Sequence, residues 1–537
     1  MTSTHISADA AGAPTTVEAS AGALAGWITS TDHKRVGRLY IATGLLVGLG
    51  ALVIGVLLGL ERIGPSSYSI LGESSVGRLF SLYRFGLVFG GVLPVLIGVL
   101  IAVVPLQLGA REIAFPRAAS LSFWMLFAGI DVMIGGYAAN GGPGGASEHG
   151  VQLFVLGLGL AAAALTIASV CLVTTVLTQR TAGLTLARVP ALAWSALVTG
   201  SVLLITLPVL VGKLIFLYVD DRYGRTVFGG SLGIAGNVSW AVSQPMIYCY
   251  AIPVLGLLAD VAPLAGRTRR EMGAVTLGGI GLVAVAAFGA LVQRLTATDF
   301  KGDSTKAAGS LLFHLFTSAV PVLGILVVLG VAALTLRGAR PKPTAAFVFG
   351  LTSVLLLLLG ATIGVLSGFS GLKLSGTVFG IGQFELVAFA GLLAGLGSVA
   401  HWGPKLWGRR LPEVPALGLA TLGFLGALLA GASDIVLGFY DQPDGTTSFA
   451  THGAMQAFNV IEAIGLIVLT VAIVGFGLLA LRAFISGDHA GDDPWDGHTL
   501  EWVTSSPPPA ANFAGPLALV TSAEPLLDLK GSNGKDA

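Results

Sequence analysis

Twelve runs of about 20 mostly apolar residues, from the first helix to the last, dominate the chain. A run of that length crosses the roughly 30 Å hydrocarbon layer as a helix. Backbone inside lipid has to satisfy its own hydrogen bonds, so only helices and closed barrels span it. These runs are continuous rather than alternating, which selects helices. They lie near residues 38–60, 83–108, 118–137, 151–178, 190–218, 236–262, 272–293, 309–336, 344–366, 376–402, 413–438 and 450–483. Only 11% of residues are charged, against about 25% in a soluble domain. The 76 glycines fit the same reading, because small residues let membrane helices approach closely. The fold class is all-α: a polytopic membrane protein of twelve transmembrane helices.

A net charge of +1 and the absence of a basic block argue against a nucleic-acid partner; the bilayer is the partner that composition requires. Cys171 and Cys249 are the sole cysteines and both sit in apolar runs, which excludes a disulfide framework or a four-cysteine zinc site. Residues 1–26 are polar and alanine-rich, without the basic start of a signal peptide. They are expected to form a disordered cytoplasmic tail, followed by a helical domain over 27–484. A polar tail over 485–537 is expected on the membrane surface. Taking the N-terminus as inside, the inner loops hold 17 Lys and Arg residues and the outer loops 9. That bias places both termini in the cytoplasm of a multi-pass plasma-membrane protein. Twelve such helices suit either a secondary transporter or the core subunit of a respiratory oxidase.

The motifs separate these classes. WITSTDHKRVGRLYI (27–41) precedes the first span, and GAREIAFPR (109–117) follows the second. VAHWGPKLWGR (399–409) and DPWDGHTLEWVTSSPPPAANF (493–513) follow in order. Together they make the chain resemble subunit one of cytochrome c oxidase, in the haem–copper oxidase superfamily. GAREIAFPR is not the glycine-acidic-basic signature of a major-facilitator transporter.

The resemblance implies a subunit-one-like bundle, oxygen reduction coupled to proton transfer, and two haems and a copper held by six histidines. Imidazole is the neutral nitrogen donor that such iron and copper sites use. The eight histidines here stand at 5, 33, 149, 314, 401, 452, 489 and 498, and none falls on an expected ligand position. The second-helix ligand position, eleven residues before Pro94, is Tyr83. In the tenth helix, His-Phe-His becomes Gln383-Phe384-Glu385, and the copper histidine of the sixth helix becomes Gln244. The seventh-helix pair falls on Leu291-Val292 or Gln293-Arg294. Tyrosinate can ligate haem iron; glutamine is a poor donor for either metal, and Glu385 suits a harder cation.

Other features around those positions persist. Tyr248 keeps the place of the family's cross-linked tyrosine, and Glu112 replaces the acid at the mouth of its proton-entry path. FYDQPDG (439–445) stands where the family has an arginine pair for haem propionates. Ionisable groups inside apolar runs are functional candidates because lipid penalises them. Here these are Asp131, Lys213, Glu385 and Glu462, with Asp434 near a helix end. His314, His401 and His452 read as packing residues. The leading expectation is a cofactor-free relative of subunit one, with a structural, assembly or regulatory role beside other respiratory oxidase subunits. An active oxidase, which would carry haem and copper, is the first alternative. An ion or proton transporter using Glu385, Asp131 and Lys213 in the emptied core is the second.

Overall fold

The computed structural model describes residues 25–64, 70–229, 233–295 and 304–533. Among these described residues, twelve helices long and apolar enough to span a membrane follow one another. They are α1 (His33–Ile63), α2 (Ser75–Gln107), α3 (Pro116–Ala138), α4 (Glu148–Thr178), α5 (Ala191–Arg222) and α6 (Met246–Gly266). The second half comprises α7 (Gly273–Val292), α8 (Leu311–Thr335), α9 (Ala345–Leu366), α10 (Phe379–Trp407), α11 (Glu413–Phe439) and α12 (Gly453–Ser486). Among the described residues there is no strand. Each apolar run of the sequence becomes one of these helices.

Boundaries shift where a specific residue overrides hydropathy. α1 starts five residues before the apolar run, because the Asp32 carboxylate caps the helix by accepting from Lys34 N. α6 starts ten residues later than expected, directly after Pro245, which leaves Gln244 just outside the helix. In α2 a π-helical turn spans Gly86–Val92. Pro94 has no N–H to donate to the carbonyl four residues earlier, so the ladder re-registers ahead of it.

Close packing relies on small residues. A Cβ on Gly129 of α3 would lie 2.7 Å from the Ala161 nitrogen of α4, and one on Gly426 of α11 would lie 2.5 Å from the Leu469 nitrogen of α12. Glycine at these crossings lets the paired helices touch backbone to backbone. α2, α6 and α10 are buried along almost their whole length and form the centre of the bundle.

The C-terminal tail does more than lie on a surface. It folds back into the end of the bundle where α1 begins. Lys405, fully buried, donates to the carbonyls of Asp492 (2.7 Å) and Thr504 (2.6 Å). Asn512 donates to Ala110 O at 2.9 Å and to His33 Nε2 at 2.9 Å, while its Oδ1 accepts from Lys34 Nζ at 2.9 Å. The start of α1 and the tail therefore share one end of the bundle. Expected residues 1–24 of the N-terminal tail lie outside the described residues.

Glu501 of the LEW motif is buried in this tail plug and accepts from Gln107 Nε2 (3.1 Å) and Trp402 Nε1 (3.2 Å). Burial, with the nearby Asp260 charge adding to it, raises its carboxyl above the ordinary range. The folded chain thus holds that proton more tightly than the unfolded chain. Stability is lost as pH rises from the unfolded carboxyl value near ~4.3 through the raised folded one. Glu501→Gln should flatten this part of a thermal-midpoint-versus-pH curve. An unchanged slope would remove Glu501 from the titration.

Candidate functional site

The far end of the bundle, away from the tail, gathers the substituted ligand positions into two adjoining polar groups. Tyr83 of α2 is buried, its ring pressed against Gly55 of α1, where a Cβ would meet the ring at 2.7 Å. Its hydroxyl donates to Glu385 Oε1 of α10 at 2.7 Å. Glu385 then joins Asp434 of α11 and Glu462 of α12, with carboxylate oxygens of the three all within 4.8 Å of one another. Arg62, at the end of α1, reaches into this cluster. Its Nη1 donates to Glu462 Oε1 at 2.6 Å and to Asp434 Oδ1 at 3.2 Å. All four charged groups are essentially solvent-free, and one guanidinium faces three carboxyl groups. One oxygen of each carboxyl and the Arg62 Nε and Nη2 have no hydrogen-bond partner among the described residues.

The second group lies between α6, α9 and α10. Gln383 Nε2 donates to the Tyr248 hydroxyl at 2.5 Å, and that hydroxyl donates to Gln244 Oε1 at 2.9 Å. Gln244 Nε2 in turn donates to Gly364 O at 2.7 Å and Ser367 Oγ at 2.9 Å. The result is a directional chain from α10 to α6 to the end of α9. Each amide here faces a partner that matches its polarity. Gly364 is where the chain passes closest to α9: a side chain there would overlap Tyr248 Oη, Gln244 Oε1 and Gln383 Nε2. His314 packs against Gly368 on the next turn, with Ser318 Oγ 3.4 Å from its Nε2.

Several sequence expectations need correction. Asp131 is exposed on the outer face of α3 and does not enter the core. It points away from α4, because Gly129 and Gly136 occupy the packed side of α3. Lys213 of α5 is half-exposed, with its ammonium over the Phe228 ring at 5.0 Å. An emptied core using Glu385 with Asp131 and Lys213 is therefore not what the packing assembles. Glu112 is exposed in the turn between α2 and α3, at the opposite end of the bundle from Glu385. Leu291 and Val292 are half-buried at the end of α7, whereas the side chains of Gln293 and Arg294 lie outside the described residues.

Arg62 lies beyond the first apolar run, 38–60, so hydropathy places it in a loop. Its signal is its place two residues past the end of that run, close enough for a long side chain to turn inward. His401 is a packing residue as expected, stacked on Trp495 at 5.8 Å and edge-on to Trp402 at 4.7 Å. Its backbone carbonyl accepts from Trp495 Nε1 at 2.8 Å.

Comparison with known proteins gives a consistent result. Residues 35–468 match the family described as Cytochrome C and Quinol oxidase polypeptide I. Cytochrome c oxidase subunit 1 of Bacillus subtilis is 27% identical over 93% of this chain and 82% of that protein. A putative cytochrome c oxidase subunit 1-beta of Streptomyces avermitilis is 27% identical over 94% of this chain and 92% of its own length. Among solved structures, a haem–copper terminal oxidase dimer seen by cryo-electron microscopy aligns with TM-score 0.71 at 12% identity. That alignment covers 86% of this chain and 85% of the other. The last likeness is one of fold.

Proposed function

The chain belongs to the cytochrome c and quinol oxidase polypeptide I family of the haem–copper oxidase superfamily, and on that premise we propose that it keeps the family's scaffold without its metals. It serves as a structural, assembly or regulatory membrane component beside a respiratory oxidase, in the plasma membrane with both termini in the cytoplasm. The observation that carries this reading is the direct bond between Tyr83 and Glu385 at 2.7 Å. Two such donors on opposite sides of a metal, at about 2 Å from it each, would stand about 4 Å apart. Here each satisfies the other.

The donor chemistry points the same way. Gln244 and Gln383 spend their amides on Tyr248 and Gly364, in a chain that copper would have to break. Neither amide is a competent ligand for copper or haem iron. The residues present therefore do not fit haem or copper. The excess of Lys and Arg in alternate loops supports the cytoplasmic termini.

The protein purified from a haem- and copper-replete host is expected to show no Soret absorption and no stoichiometric copper. A clear Soret band with matching copper would overturn the cofactor-free reading and favour the oxidase activity that its relatives' names carry. Co-purification with a histidine-bearing subunit one from native membranes tests the accessory role; a chain recovered without any oxidase subunit would count against it.

A further inference from the structure

Asp131 is the eighth residue from the end of the 23-residue helix α3, about 10 Å along the axis from that end. Neighbouring contacts confirm its depth: Ile130 packs at the level of Gly90 in α2, and Met133 at the level of Gly157 in α4. Both reference residues lie well inside their own spans. Yet Asp131 is exposed, and no described residue bonds or pairs with it. A carboxylate on a lipid-facing surface at that depth is costly unless something meets it.

The residues around Asp131 are shaped for contact. Phe127 is 40% exposed and Ile134 37%, and they flank the acid on one side. Ala128 and Gly135 flank it on the other, and Ala138 lies two turns along nearly in line with it, all exposed. A Cβ on Gly135 would meet nothing within 4 Å. Small residues beside a polar one, on a face turned away from the bundle, are what lets a second helix approach closely and bond across the gap.

We propose that this face of α3 docks a transmembrane helix of a different polypeptide that carries a basic side chain at the depth of Asp131. Charge selects the occupant. Lipid tails offer no donor, and a symmetric second copy of this chain would set Asp131 against Asp131, a like-charge contact that disfavours it. A lysine, arginine or histidine on the incoming helix neutralises the acid and completes its hydrogen bonds. The inference holds whatever the core binds, since α3 faces away from Tyr83 and Glu385.

The test places a fluorophore on Gly135→Cys, the native Cys171 and Cys249 being buried, and quenches it with nitroxide-labelled lipid. In native membranes the label should be shielded, and in vesicles holding the purified chain alone it should be fully quenched. Asp131→Leu should abolish shielding in native membranes and weaken the complex about tenfold. The isolated variant should be no less stable than its parent, because it removes a charge from a lipid face. Cross-linking from the same cysteine should capture another polypeptide with a basic residue in its transmembrane helix. Equal quenching with and without native membranes would overturn the proposal. So would shielding that survives Asp131→Leu, capture of a second copy, or capture of a helix without a basic residue.

Discussion

Arg62→Leu is expected to destabilise the protein by about 3–5 kcal/mol, the usual cost of removing one partner from a buried ionic group. The substituted chain should show a sharply lowered thermal midpoint in detergent. Arg62 is the only cation bonded to Asp434 and Glu462 among the described residues. Without it, three carboxyl groups from three helices face one another with no counter-charge. The loss comes from stranding those acids, so removing their charge as well should recover much of it. The triple variant Arg62→Leu, Asp434→Asn, Glu462→Gln should therefore be markedly more stable than Arg62→Leu alone. If the single variant melts with its parent, the cluster is not what ties the start of α12 to the end of α1.

The second large effect is expected at Gly364. Gly364→Ala inserts a methyl group into the meeting point of Tyr248, Gln244 and Gln383. The side chains have to part, which leaves buried amide and hydroxyl groups without partners at about 1–3 kcal/mol each. A loss of about 3 kcal/mol or more follows, a large value for one methyl group on a helix. Tyr248→Phe should cost less, because it removes the central hydroxyl without displacing the two amides around it. Thermal midpoints of the two variants in the same detergent give the comparison. If Tyr248→Phe proves the worse of the two, then the hydroxyl rather than the space at Gly364 organises the chain.

The sequence made the helices legible because lipid leaves a long apolar run few other options. It was weakest where a single residue decides a boundary against hydropathy, as Asp32 does for α1 and Pro245 for α6. The substituted ligand positions were also legible one by one, since Tyr83, Gln244, Gln383 and Glu385 sit in family motifs that fix their place. Their pairing was not. Nothing local to Glu385 says that it bonds Tyr83, about 300 residues earlier, or that Arg62 turns inward to the next two helices. Asp131 failed for the complementary reason: hydropathy reports that an acid lies at membrane depth but not which side of the helix it faces. That side is set by the glycines of α3 packing on α4, a tertiary fact.

The tail plug has a consequence for how the protein is made. His33 and Lys34 are among the first residues of the bundle to leave the ribosome, and their partner Asn512 is among the last. Until then their polar groups at the mouth of α1 lack the amide that completes them. Lys405 likewise waits for the carbonyls of Asp492 and Thr504. Synthesis runs from the N-terminus, so the helices can insert in order while the bundle stays open at one end. Closure is reserved for the end of translation. A chain cut short before Asp492 would carry twelve inserted helices, with Lys405 lacking both carbonyls and His33 and Lys34 lacking Asn512.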